Sequence, residues 1–170
     1  MRRSRDCSKW APPTPNEIKI NFDAAVNNEG GKVGIGVIAW DSEGKLLVAK
    51  AKTLLHNWSP ELCEVRAILE AIYMAKDKGY INIILEGDAQ VIIRALQKQI
   101  LRSGHTQLVV EDICACRTSF SKVSFNFCYR ECNLAALRLA KWAVHQYCEE
   151  VWYGEGPEWF YDIIVADSYI

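Results

Sequence analysis

The order of periodicities along this chain predicts an α/β domain with one mixed sheet and helices on its faces. Three observations carry that expectation. Three period-two segments joined by short connections follow residue 17, the pattern of an antiparallel meander. Helical and strand patterns then alternate, which requires crossover connections. Residues 81–86 (Ile-Asn-Ile-Ile-Leu-Glu) form a dense aliphatic run of the kind covered on both sides in a parallel sheet.

Residues 18–26 (Ile-Lys-Ile-Asn-Phe-Asp-Ala-Ala-Val) alternate apolar and polar side chains and give the first strand. Residues 33–40 give a second, interrupted by Gly34 and Gly36, and Asp41-Ser-Glu-Gly44 turns into a third over 45–55. Ser59-Pro60 opens a helix, with serine at the N-cap and proline at the first helical position. That helix runs to Lys78, and Gly79 ends it. After the strand at 81–86 come helices over 88–100 and 106–118, a fifth strand over 122–129 and a long helix over 133–149. Residues 1–16, polar and carrying Pro12, Pro13 and Pro15, read as an arm, and 17–150 as the domain. Residues 151–170 read as an aromatic tail that packs back onto the domain, since large apolar patches seldom stay exposed.

At 170 residues the chain fits one domain with a sizeable core, and its hydrophobic and charged fractions are ordinary for a globular protein. The formal net charge of −1 weighs against a dedicated nucleic-acid binder, which usually shows a basic excess. The seven cysteines form no C-x-x-C pair and read as free thiols in a reducing compartment. The basic start Met1-Arg-Arg-Ser-Arg is not followed by an apolar run, and no segment approaches the ~20 apolar residues of a membrane span. An intracellular protein without membrane contact is expected, with nucleus and cytoplasm both open.

Three carboxylates stand where carboxylates are costly. Asp23 lies inside the first strand, although aspartate is depleted in strands. Because Lys19, Asn21 and Asp23 share one side, an exposed-face aspartate is the competing reading. Glu64 falls about 160° around its helix from Arg66 at ~100° per residue, on the stripe of Ile68, Ala71, Ile72 and Ala75. Arg66, Glu70, Tyr73 and Asp77 form the opposite, polar face. A carboxylate on a core-facing stripe needs a basic partner or a metal, and that stripe holds no Lys or Arg one turn either side. Asp88 follows the buried strand, either as a plain N-cap or as part of a site at a strand end. If the first and fourth strands are neighbours, Asp23 and Asp88 lie side by side and the helix presents Glu64 to both. Clustered acids repel unless a cation sits among them, and hard oxygen donors select Mg²⁺ or Mn²⁺.

Several segments together carry a resemblance. They are Ile20-Asn-Phe-Asp-Ala-Ala, Gly34-x-Gly36-Val-Ile, Asp41-Ser-Glu-Gly44, Cys-Glu64-Val-Arg-Ala-Ile, Glu-Gly-Asp88-Ala-Gln and Arg130-Glu-Cys-Asn133-Leu-Ala-Ala. In this order and spacing they resemble type 1 ribonuclease H domains, nearest to the plant reverse-transcriptase-like group; the Gly-Pro157-Glu-Trp-Phe-Tyr-Asp tail is similar too. The resemblance implies an RNase H-like five-stranded mixed sheet in order 3-2-1-4-5 with helices on both faces. It implies Asp23, Glu64 and Asp88 as catalytic metal ligands, two Mg²⁺ or Mn²⁺ ions, and hydrolysis of the RNA strand of RNA–DNA hybrids. Gln90 and Asn133 match positions assigned to nucleic-acid contact. Descent from, or attachment to, a reverse transcriptase is implied as well, and a monomer is expected.

The pattern breaks at the fourth ligand. The family places it four residues after the asparagine, which here is Leu137, a side chain without a lone pair. A histidine expected in the preceding loop and a distinct basic helix in 88–118 are also missing. A weak nuclease is therefore expected, with Asn133, Glu131 or water filling the gap. The alternative is a catalytically degenerate nucleic-acid-binding or protein-interaction module on the same fold. A strand-transfer enzyme fits less well, because the Glu64 helix and Asn133 segment match the hydrolase.

Overall fold

The computed structural model describes residues 9–27, 29–98 and 105–161, without the side chain of His105. The start of the expected arm, the end of the 88–100 helix and residues 162–170 of the expected tail lie outside the described residues. Strands β1 (Ile18–Asn27), β2 (Lys32–Trp40) and β3 (Leu46–Leu55) form the antiparallel meander. Helix α1 (Pro60–Asp77) follows, with Ser59 Oγ accepting from the Leu62 N–H at 3.3 Å. Strand β4 (Asn82–Gly87), helices α2 (Gln90–Lys98) and α3 (His105–Cys116), strand β5 (Lys122–Phe127) and helix α4 (Leu134–Ala143) complete the crossover part. A last strand, β6 (Glu149–Tyr153), was not expected.

The sheet order is β5-β4-β1-β2-β3-β6, which is the expected 3-2-1-4-5 arrangement with one more strand on the β3 edge. β1 pairs parallel with β4, and β4 with β5; the other pairs are antiparallel. The expected helix over 133–149 thus stops at Ala143, and the chain turns back to cover β3. The physical reason is visible in the pairing. β3 would otherwise be an unpaired edge, and Glu149 meets Lys50 at 2.8 Å and Lys52 at 3.6 Å.

Helices α1 and α3 cover one face, where Ile20, Phe22, Val33, Ile35 and Val37 meet Ile68, Ile72, Val110 and Ile113. Full burial of each large aliphatic or aromatic side chain contributes about 1.5–3 kcal/mol. Helix α4 covers the other face, where Ala136, Leu139 and Ala143 join Ile38, Ala49, Ala51 and Phe160. The glycines of β2 permit its close seat. A Cβ on Gly34 would stand 2.0 Å from the Ala140 carbonyl oxygen, and one on Gly36 would stand 2.2 Å from that of Ala136.

One polar group departs from the pattern read in the sequence. Glu70, expected on the solvent face of α1, is 2 % exposed and bridges Lys50, Lys52 and Arg66 at 3.2, 2.9 and 3.5 Å. That side of α1 leans on β3 and its two inward lysines rather than on water. Residues 9–16 lie along the sheet. Trp10 packs on Trp40 with ring centroids 5.2 Å apart and donates to Asn21 Oδ1 at 3.1 Å, while Lys19 Nζ donates to the Ala11 carbonyl at 2.6 Å.

Candidate functional site

The parallel β1–β4 register places Asn21 opposite Glu86. Asp23 and Asp88 each stand two residues further on, so the two acids come together just past the last β1–β4 pair, Asp23 inside β1 and Asp88 beyond the carboxyl end of β4. α1 starts over the same end of the sheet and sets Glu64 in its second turn. One oxygen from each of Asp23, Glu64 and Asp88 lies within 4.8 Å of the others. The exposed-face reading of Asp23 is excluded, because the residue is 4 % exposed.

The charges are in conflict as they stand. Burial first, and then the Asp88 charge, push the Asp23 carboxyl up to about 7, against the Ala24 N–H bond at 2.9 Å and the Arg130 charge. Burial, followed by the charges of Asp23 and Asp88, pushes Glu64 up to about 9. Burial also raises Asp88, opposed by Arg130. As an ionised acceptor, Glu64 Oε2 is buried with no donor. A proton on Glu64, shared with Asp23, or a cation among the three would satisfy it. Three hard oxygen donors with one orphaned lone-pair site fit Mg²⁺ or Mn²⁺ well and thiophilic metals poorly.

The other residues singled out in the sequence fall differently. Gln90 is exposed at the start of α2, two residues beyond Asp88. Asn133 is 1 % exposed, and its amide donates to the Phe22 carbonyl at 2.9 Å while its Oδ1 accepts from Asn21 at 3.2 Å. Its side chain faces the interior, so it neither joins the acids nor reaches a surface strand. Leu137 is buried in α4 and offers no donor. Among the described residues, neither Glu131 nor any other acid joins the three.

Two features escaped the sequence reading. Arg130, in a short 3-10 turn after β5, is exposed and near enough to draw down both Asp23 and Asp88. Its place between strand and helix was the available signal, since such junctions at a sheet's carboxyl end are where sites form. Beneath the acids runs a buried polar network. Lys19 pairs with Glu86 at 3.1 Å, Asn21 donates to Glu86 and Asn133 at 3.2 Å each, and Trp10 caps it. Alternation alone gave Lys19 and Asn21 to solvent; Asn133 at the start of α4 and Trp10 meet Asn21 instead.

A mixed sheet in this order, with one acid inside the first strand, one just beyond the fourth and one on the crossing helix, defines the ribonuclease H-like class of proteins. Among solved structures, the chain superposes on RNase H1 of the halophilic archaeon Halobacterium salinarum with a TM-score of 0.68 at 22% identity, covering 75% of this chain and 96% of that one. LC11-RNase H1, isolated from compost by a metagenomic approach and solved in complex with an RNA/DNA hybrid, gives 0.69 at 20% identity over 75% and 96%. The prototype foamy virus protease-reverse transcriptase gives 0.60 at 12% identity, covering 84% of this chain and 23% of that one. At these identities the likeness is one of fold. Residues 21–143 match the model of the family described as Reverse transcriptase-like, and the chain belongs to that family. No functionally curated protein matches it.

Proposed function

We propose that this chain is a nuclease domain that hydrolyses the RNA strand of RNA–DNA hybrids with Mg²⁺ or Mn²⁺ held by Asp23, Glu64 and Asp88. The observation that carries the reading is the meeting of three acids, one with an orphaned oxygen, on the ribonuclease H fold. When bound, the metal supplies Lewis-acid activation of water and neutralises charge on the departing oxygen.

The chain's own residues hold and orient. The Ala24 N–H fixes the Asp23 carboxylate at 2.9 Å. The network of Lys19, Glu86, Asn21 and Asn133 anchors β1, β4 and the start of α4 to one another under the site. Arg130, exposed beside the acids, offers a guanidinium to a phosphate oxygen, a match of planar donors to an anion. Gln90 offers its amide to the backbone of the bound strand. The partner is the hybrid itself, met inside the cell by a single copy of the domain, and the family and the viral likeness suit descent from a reverse transcriptase.

Leu137 leaves three acids where four are expected, and losing one centre of charge stabilisation costs about 10²–10³ in rate. That residue also favours a second reading, a catalytically degenerate module that binds nucleic acid or a protein without cutting, and the net charge of −1 suits the protein partner better. A labelled hybrid incubated with Mg²⁺ or Mn²⁺ separates them. Slow internal cleavage of the RNA strand, lost in Asp23→Asn, is the expected result. Cleavage that survives Asp23→Asn rejects the site, and binding without cleavage selects the second reading.

A further inference from the structure

Glu64 and Arg66 stand about 160° apart around α1 at ~100° per residue, so the helix has a polar stripe turned away from the acids. Arg66, Glu70, Tyr73 and Asp77 recur along that stripe at helical spacing. Opposite it, β3 sets Lys50 and Lys52 two residues apart on one face, and both reach Glu70. Between the helix and the strand lies a cavity of about 380 Å³, lined by these six residues together with Lys76. Its volume is that of a small-molecule site.

In a chain of net charge −1, this cavity holds a local excess of positive charge. Four cations line it against Glu70 and Asp77, and one positive charge is left over even when Glu149, beside the two β3 lysines, is counted. Each lysine ammonium has three donors. Lys50 and Lys52 each direct two at Glu70 and Glu149, which leaves one apiece. Arg66 Nη2 reaches Glu70 only at 3.5 Å, long for a charge-assisted bond. Its Nε is buried with no acceptor among the described residues. Lys76 is exposed and has no ion pair among them. An ion cluster that served stability alone would account for neither the orphaned Nε nor the open volume.

We infer that the cavity between α1 and β3 is a binding site for a nucleoside phosphate, with Arg66 and Lys76 on the phosphate and Tyr73 against the base. The planar guanidinium matches two oxygens of a phosphate at once, through Nε and Nη2. The spare donors of Lys50 and Lys52 face the same cavity. Tyr73 is 39 % exposed and offers its ring to any base, so the contact selects for phosphate and an aromatic ring rather than for one nucleoside. This is a second site on the chain, and it stands or falls independently of the nuclease reading.

The test is calorimetric titration of AMP, inorganic phosphate and adenosine into the full chain in EDTA, which keeps metal from joining a phosphate to the three acids. AMP is expected to bind, phosphate to bind about tenfold more weakly for want of the ring, and adenosine not to bind. Arg66→Gln should weaken AMP by at least about tenfold, as the loss of a charge-assisted bond does, and Arg66→Lys should not restore it. Lys76→Gln should weaken AMP by about twofold to fivefold. Tyr73→Ala should bring AMP down to the affinity of phosphate. Lys141→Gln, exposed on α4 across the sheet, should change nothing. Tyr73 and Lys76 are exposed, so their variants keep the fold and decide the matter if Arg66→Gln unfolds. The local readout is the Arg66 Nε–H resonance in a ¹H–¹⁵N spectrum, which should move with AMP while the Ala24 amide beside Asp23 stays in place. AMP that fails to bind at millimolar concentration overturns the site. So does AMP that binds with the Arg66 resonance unmoved, or no more tightly than phosphate.

Discussion

Removing metal should make this protein less stable as the pH rises, and Glu64→Gln should flatten that loss. Asp23 and Glu64 are acids held above their ordinary values, at about 7 and about 9, by burial and mutual repulsion. Between about pH 4 and those values the folded chain binds more protons than the unfolded chain, so the stability slope is negative. Their contribution is complete below about pH 4 and is lost as pH climbs to the folded values. The two acids share one repulsion, so a single extra proton is the conservative count. At about 1.4 kcal/mol per pH unit, the metal-free protein loses about 3 kcal/mol from pH 5 to pH 7. For a domain of this size that is about 6–12 °C in Tm. Mg²⁺ at 100 times its Kd returns about 2.7 kcal/mol at pH 7, and less at pH 5, where protons compete. Thermal unfolding by circular dichroism in EDTA and in Mg²⁺, at pH 5, 6, 7 and 8, reads all of this. Metal-free stability that rises across this range, or an unchanged slope in Glu64→Gln, would refute the crowding of these acids.

Leu137→Asp supplies the absent ligand, and we expect hybrid cleavage to rise by about 10²–10³ with a second Mg²⁺ event in calorimetry. A variant that binds Mg²⁺ no better would place α4 in a different register. Gly36→Ala forces a methyl group against the Ala136 carbonyl and should cost at least about 1–3 kcal/mol in urea unfolding. Glu70→Ala strips the shared partner from Lys50, Lys52 and Arg66 and should cost about 3 kcal/mol, the low end for a broken buried pair because the lysines keep some solvent. Full stability of that variant would mean that Glu149 alone balances both lysines.

The fold was legible where periodicity and punctuation agree. Ser59-Pro60 and Gly79 bracket α1, and the aliphatic run of β4 announces a strand covered on both sides. The three acids were legible because each breaks a local rule: Asp23 a strand preference, Glu64 an apolar stripe, Asp88 a strand end. Register between distant strands decides whether such residues meet, and single-sequence patterning carries no direct record of it. The same limit hid β6, whose pairing to β3 depends on two lysines and a glutamate about a hundred residues apart. It also hid the role of Lys19 and Asn21, since a strand that alternates polar and apolar side chains looks the same under water as under a helix. Asn133 was found for its motif, yet its amide serves the protein's interior rather than a ligand.

Trp10 gives the beginning of the chain a practical meaning. Proline-rich leaders invite trimming, and a recombinant domain begun at residue 17 would look economical. Such a shortened protein would lose the indole that closes Asn21 off and the Ala11 carbonyl that holds the Lys19 ammonium. Water would then reach the polar floor supporting Asp23 from below, and a loss of activity in the trimmed form would be mistaken for a defect in the chemistry above it.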